Sequence, residues 1–337
     1  MALFLPVEKK SAQKRMESLK RKGLFNPDYR VFEKEGMIWI PLRAGAEVEG
    51  AAEISTEPVR RRPKSIGEAL AGVLEPEELA QVVNSFDLVG ELAIVEIPET
   101  LVGKEALVAQ AVIQVHPNVK TVAKKEGPME GEFRVRRLKV IYGENTTETL
   151  YKENGAKMLL DPAKVYFSPR LSFERKRIAG LVKDGEHILA LFAGVGPFPL
   201  VIAKQGKKCE IVAIELNPAA VKYMEKNIVL NKTQNIKAIC GDVKEIVPRD
   251  YANWADRILM PLPKDAELFL EAAYAGARNG AIIHFYTFAD IGRPFEEARE
   301  KIARHLEKGK YEIAGERIVR PFSPAQVQVV LDIRAKK

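Results

Sequence analysis

The chain has 337 residues, 46% of them hydrophobic, which is enough for two or three domains with cores of their own. A formal net charge of +7 and a pI near 9.1 favour a polyanionic partner. No apolar run approaches the roughly 18 residues of a membrane span, and the apolar start of "MALFLPVEKK" precedes its charges, the reverse of a secretory signal, so a cytoplasmic protein with no membrane partner is expected. Cys209 and Cys240, and the scattered His116, His187, His284 and His305, lack ligand spacing. Buried thiols, structural histidines and no metal site are therefore expected.

Along the chain, residues 1 to about 48 read as a small α/β unit. An apolar start is followed by the basic amphipathic segment "EKKSAQKRMESLKRKG", closed by Gly23, and by "YRVFEKEGMIWIPL", a hairpin through Glu35-Gly36. The next stretch, "RAGAEVEGAAEISTEPVRRRPKS", is small, charged and proline-punctuated, the composition of a linker. From Ile66 the pattern mixes helices ("SIGEALAGVL", "PEELAQVVNS", "KEALVAQAVIQVH") with strands ("FDLVGELAIVEI", "NVKTVAKKEG", "EFRVRRLKVIYGE", "TETLYKENGAKMLLDP"). The predicted domains are thus 1–60, 61–163 and 164–337.

From about Lys164 strands and helices alternate, which predicts a parallel doubly wound sheet. The strands are "HILALF", "EIVAIEL", "IKAICGD", "RILMPLP" and "AIIHFYTF"; the helices are "PFPLVIAKQ", "PAAVKYMEKNIVLN", "DAELFLEAAYAGARNG" and "PFEEAREKIARHLEK". No helix of useful length separates the last two strand-like runs, "YEIAGERIVRPF" and "QVQVVLDIRA", so they must pair antiparallel. Basic residues cluster at 1–25, at Arg60 to Arg62, at Arg134, Arg136, Arg137 and Lys139, and at Arg170, Arg175, Lys176 and Arg177. Four such clusters lean towards nucleic acid.

"LFAGVGPFPL" follows the first strand and opens a helix, so Gly194 and Gly196 allow a tight turn near a ligand. Pro199 stands where a dinucleotide fingerprint has its third glycine, which argues against a pyrophosphate cradle. Glu215 ends the second strand where a carboxylate can accept from both ribose hydroxyls, and Asp242 ends the third where it can accept from an adenine amino group. These features point to a nucleoside cofactor without phosphates. S-adenosyl-L-methionine fits better than a nicotinamide dinucleotide.

The fourth strand stops at Pro261 and Pro263, each of which removes a ladder donor. In order, "GEFRVRRLKVIYGE", "YKENG", "DPAKVYFSPRLSFER", "LFAGVGPF" and "MPLPKDAELFLEAA" resemble the archaeal and eukaryotic tRNA (guanine-37-N1)-methyltransferase family over essentially the whole chain. The resemblance implies a class I (Rossmann-like) S-adenosylmethionine-dependent methyltransferase domain preceded by an α+β segment and a small N-terminal α/β domain. It implies methylation of guanosine on nitrogen 1 at tRNA position 37 and, in an archaeal subgroup, of 4-demethylwyosine on carbon 7 in wyosine synthesis.

By the same resemblance Glu174 is the base and Arg134 the partner of guanine oxygen 6. Ser168-Pro169 would cap the helix that carries Glu174. The cofactor set is Phe192, Gly194, Gly196, Glu215, Asn217, Asp242 and Pro261; the substrate set is Tyr166, Arg170, Arg136, Pro261 and Pro263. Two positions depart from the family: Ala190 replaces an aspartate and Pro261 an asparagine, and the latter would leave a pocket tolerant of both bases. The partners expected are the tRNA anticodon loop and, for the N-terminal domain, a distant part of the tRNA, with the protein a monomer. The competing readings are an aminocarboxypropyltransferase acting on 4-demethylwyosine, a non-catalytic tRNA-binding protein and a nicotinamide oxidoreductase.

Overall fold

A computed structural model describes residues 1–56, 63–262 and 264–337, so the Arg60 to Arg62 cluster and Pro263 lie outside the described residues. The chain divides into two compact units, Met1–Glu68 and Ala69–Lys337.

In the first unit β1 (Ala2–Glu8) leads to α1 (Ala12–Arg21), and β2 (Phe32–Lys34) and β3 (Met37–Pro41) follow as the expected hairpin. Glu35 and Gly36 both take positive φ, 55° and 77°, as a two-residue hairpin turn requires. β4 (Ala52–Ile54) completes a sheet of order β2-β3-β1-β4. Part of the predicted linker is therefore a strand: Ala52 to Ile54 pair with Phe4 to Ala2, a long-range partnership that composition does not reveal. Leu19 on the apolar side of α1 closes a core with Leu5, Val7, Ile40 and Leu42. All seven basic side chains of residues 1–25 are exposed.

α2 (Ile66–Leu70) and α3 (Pro76–Leu79) are shorter than their sequence patterns suggest. β5 (Asp87–Val89), β6 (Leu92–Val95), α4 (Glu105–Val115), β7 (Thr121–Glu130) and β8 (Val135–Tyr142) then build a sheet of order β5-β6-β7-β8. β9 (Thr149–Glu153) and β10 (Ala156–Leu160) form a separate hairpin.

After a short 3-10 turn, α5 (Ser172–Leu181) leads into β11 (His187–Leu191), α6 (Pro197–Ala203), β12 (Glu210–Glu215), α7 (Pro218–Leu230), β13 (Ile236–Cys240), α8 (Val243–Asp250), β14 (Ala255–Met260), α9 (Leu270–Gly276), β15 (Ala277–Asp290), α10 (Pro294–His305), β16 (Tyr311–Pro321) and β17 (Gln326–Ala335). The sheet order is β13-β12-β11-β14-β15-β17-β16, parallel up to β15, with β17 antiparallel to both its neighbours. This is the expected doubly wound sheet with its antiparallel hairpin. Strand order reverses between β11 and β14, so a crevice opens at their carboxyl ends. The core continues from Val89, Leu92 and Ile94 of the α+β segment into Ile188, Ala213 and Leu259 of the large sheet.

Three local readings need correction. The helix predicted to run through "GARNG" ends at Gly276, where an added Cβ would come within 2.7 Å of Val247 and 2.8 Å of Leu189, and Ala277 already pairs with Ala255. The sequence reading missed α8, a short helix containing Pro248. Cys240 is exposed, whereas Cys209 is buried as expected. Among the described residues no group could hold a metal ion and no helix is long and apolar enough to cross a membrane.

Candidate active site

A cavity of about 350 Å³ lies at the crevice. Its floor is the glycine-rich turn after β11, with Phe192, Ala193, Gly194, Pro197 and Phe198. Phe192 (φ 54°), Gly194 (φ 57°) and Gly196 (φ 86°) all lie in the left-handed region. Phe192 packs edge-on against Phe269 with ring centroids 4.7 Å apart. Gly196 is not among the lining residues; a Cβ there would meet Met224 at 3.1 Å, so it lets the turn close onto α7. The first turn of α6 contains Pro197 and Pro199, which have no N–H, so this helix start is a poor anchor for phosphate.

Glu215 at the end of β12 accepts hydrogen bonds from the backbone N–H of Gly194 and of Asn217, both at 2.8 Å. Burial pushes its carboxyl above the ordinary value, and the Asn217, Gly194 and Leu216 amides only partly oppose that. Two amides thus orient a carboxylate at the cavity wall with acceptor capacity to spare. Asn217 also lines the cavity, but its side chain caps α7 by accepting from Ala219 N–H at 2.9 Å and donates to the Lys164 carbonyl at 3.1 Å. Asp242 lines the cavity while capping α8 through Lys244 N–H at 2.8 Å. Asp242 with Glu245 is the D-x-x-E signal that should have revealed α8 in the sequence. Pro261 and Leu262 complete this wall, and Ala190 is buried in the sheet away from it.

The opposite wall is the turn between β7 and β8, Glu132, Phe133 and Arg134, together with Tyr166 and Phe167. Arg134, expected in a strand, sits in the turn with φ 52°, its guanidinium 5.4 Å above the Tyr166 ring. Its Nη1 is buried with no hydrogen-bond partner. A buried cationic donor left unsatisfied is costly, and this one belongs to a residue that lines the cavity.

Glu174 is not at the cavity. It lies in the first turn of α5, 2% exposed, and accepts from Arg177 Nε at 2.9 Å, Arg177 Nη2 at 2.7 Å and the Tyr286 hydroxyl at 2.6 Å. Burial alone would lower Arg177, but its bonds to Glu174 outweigh this and hold it well above the ordinary value. Tyr286 is held far above its usual value by burial and by Glu174. Glu174, expected as the catalytic base, thus occupies a buried position outside the lining of the cavity, whereas Leu171 and Arg175 of the same helical run do line it. Ser168 makes no side-chain cap. Arg175 is buried in an ion pair with Glu153, so two cations of the 170–177 cluster face internal carboxylates rather than solvent. Arg170 and Arg136 line a second cavity, and Tyr166 lines both.

Residues 149–314 match the TRM5/TYW2 methyltransferase domain and residues 66–146 the TYW2 N-terminal domain. The tRNA (guanine(37)-N(1))-methyltransferase Trm5b of Pyrococcus abyssi is 40% identical over 99% of both chains, and its crystal structure superposes with a TM-score of 0.84 over 100% of both, at 39% identity. The chain belongs to the TRM5/TYW2 methyltransferase family. The Nanoarchaeum equitans member Taw22, named tRNA (guanine(37)-N(1))/4-demethylwyosine(37)-methyltransferase, is 35% identical, the match covering 71% of this chain and 97% of Taw22. The structure of aTrm5 with tRNALeu covers 99% of this chain and 100% of its own, with a TM-score of 0.81 and 30% identity. TRM5/TYW2 methyltransferases use S-adenosylmethionine. The residues present fit that cofactor: Glu215, oriented by two amides, could accept from a ribose and Asp242 from an adenine amino group, the lining of Phe192, Phe198 and Phe269 suits a sulfonium cation, and the helix start is unsuited to phosphate.

Proposed function

We propose that this protein methylates position 37 of tRNA, guanosine on ring nitrogen 1 and 4-demethylwyosine on carbon 7, with S-adenosylmethionine as cofactor. The observation that carries the reading is Arg134, a half-buried arginine whose Nη1 is buried without a partner at the rim of the cavity that holds Glu215. Bound S-adenosylmethionine supplies an electrophilic methyl group. Ring nitrogen 1 of guanine is a poor nucleophile until its proton leaves and charge on oxygen 6 is stabilised. Arg134 supplies the second function by a charge-assisted hydrogen bond. Glu174 is our candidate for the first, and must exchange Arg177 for the base when tRNA binds; catalytic hydrogen bonds commonly form only in the complex. The likeness to Taw22 supports the second substrate, as does Pro261, which offers the cavity shape without a side-chain donor. We place the enzyme in the cytoplasm with its substrate, acting as a monomer.

The test is single-turnover reaction with tRNA carrying either base, followed by nucleoside mass spectrometry. Both methylated nucleosides are expected, and an aminocarboxypropyl adduct would move the protein to the other branch of the family. Arg134→Ala and Glu174→Gln should each slow guanosine methylation by about a hundredfold or more. A wild-type rate for Glu174→Gln would leave it a partner of Arg177 and Tyr286 alone. Pro261→Asn should shift selectivity towards guanosine, because an added amide can pair with the guanine edge.

A further inference from the structure

A second cavity, of about 360 Å³, adjoins the first and shares Arg134, Tyr166, Phe167 and Ser168 as a common wall. Among the described residues five cations line it, Lys125, Arg134, Arg136, Arg170 and Arg320, against the one carboxylate of Asp87. Asp87 is taken by Arg170, at 2.9 Å from its Nε. Arg136 Nε, like Arg134 Nη1, is buried without a hydrogen-bond partner. Arg320 is fixed by donation from its Nε to Gln328 Oε1 at 2.9 Å. Burial holds Arg320 below its ordinary value, and Arg170 adds to this against the opposing Tyr166 and Asp87. A side wall is aromatic: the Phe288 and Phe322 rings lie 4.0 Å apart, tilted by 30°, with the Arg320 guanidinium 5.9 Å from the Phe322 ring. Phe322 is half exposed. A cationic pocket that keeps unpaired donors beside an exposed aromatic face has the chemistry of a nucleotide site, with guanidinium groups for the phosphate and a ring for the base.

We propose that the second cavity holds the nucleotide next to the target, its phosphodiester among Arg136, Arg170 and Arg320 and its base against Phe288 and Phe322. The shared wall makes this geometrically direct, since a nucleotide whose base enters the first cavity leaves its neighbour at the mouth of the second. The proposal rests on tRNA position 37 being the substrate, and adds a reader for the adjoining residue. Arg320, Phe288 and Phe322, on and around β15 and β16, thereby join the closing strands of the sheet to RNA binding.

The experiment uses full-length protein and tRNA carrying 2-aminopurine on one side of the target or the other. Binding should quench the fluorescence at one of the two positions, and Phe322→Ala should abolish that quenching. Arg320→Ala should raise the KM for tRNA about tenfold and flatten the dependence of log affinity on log salt by about one. S-adenosylmethionine affinity without RNA should stay unchanged in both variants, which reports an intact fold. Wild-type tRNA affinity and salt slope in Arg320→Ala, or quenching insensitive to Phe322→Ala at both positions, would overturn the proposal. If the wild-type protein shows the quenching but methylates neither base, the subsite stands and the assigned reaction fails; methylation with no quenching at either position does the reverse.

Discussion

Arg134 and Phe192, one in the wall and one in the floor of the cavity, both occupy the left-handed region that disfavours residues with a Cβ, at a cost of about 1–3 kcal/mol each. The surrounding packing holds them there, and each presents its side chain to the cavity. Glu215 shows a similar tension between stability and use. Its raised carboxyl means that the folded chain keeps a proton at a pH where the unfolded chain has lost it. That contribution to stability is present below the unfolded value and is lost as pH rises through the folded one. The ionised form that the proposed ribose contact needs is thus disfavoured by the fold. Calorimetric titration with S-adenosylmethionine should show affinity falling on acidification at a pH above the ordinary glutamate value of about 4.3. Affinity that is flat down to that value would remove Glu215 from the ribose. Glu215→Gln should lower affinity at neutral pH by roughly tenfold or more, the usual worth of hydrogen bonds to a charged group.

At the scale of elements, α7 ties the β9–β10 hairpin to the cofactor turn through one side chain. Asn227, fully buried, accepts from Leu159 N–H at 2.7 Å and donates to the carbonyls of Leu159 at 3.0 Å and Val195 at 3.1 Å. One helical turn on, Asn231 accepts from Lys157 N–H at 2.8 Å and donates to the Lys157 carbonyl, serving the hairpin in the same way without touching the turn. The two amides satisfy the edge of β10 as a neighbouring strand would. Asn227→Ala should therefore lower the melting temperature by about 4–8 °C, from buried groups left unpaired, and should also weaken cofactor binding through Val195. Asn231→Ala should lower the melting temperature and leave cofactor affinity alone. Equal loss of cofactor affinity in both variants would show that general loosening, not the Val195 bond, is responsible.

At the scale of the whole molecule, Met1–Glu68 has its own sheet and core, and the basic side chains of its described residues are exposed. Removing residues 1–56 should reduce tRNA affinity at least tenfold and flatten its salt dependence, while S-adenosylmethionine binding by the remainder is unchanged. Filter-binding titrations across a salt series would measure this, and tRNA affinity equal to that of the full chain would exclude a tRNA-binding role for this unit.

The alternation of strands and helices after Lys164, the closing antiparallel hairpin, the Glu35-Gly36 turn, and the glycine turn at Gly194 with the strand end at Glu215 were all legible in sequence, because each is a local pattern of period, turn chemistry or strand end. The resemblance carried by "KVYFSPRL" and its neighbours led to the family. What tertiary structure decided depends on partners remote in the chain. Glu174 is buried because it meets Tyr286, 112 residues away; Ala52 to Ile54 become a strand because β1 offers them an edge. Arg134 gains its significance from a tight turn that places it over Tyr166 with one nitrogen unpaired. Periodicity records which face of an element is apolar, but the identity of the group that arrives opposite a given charge is fixed only when the chain closes on itself.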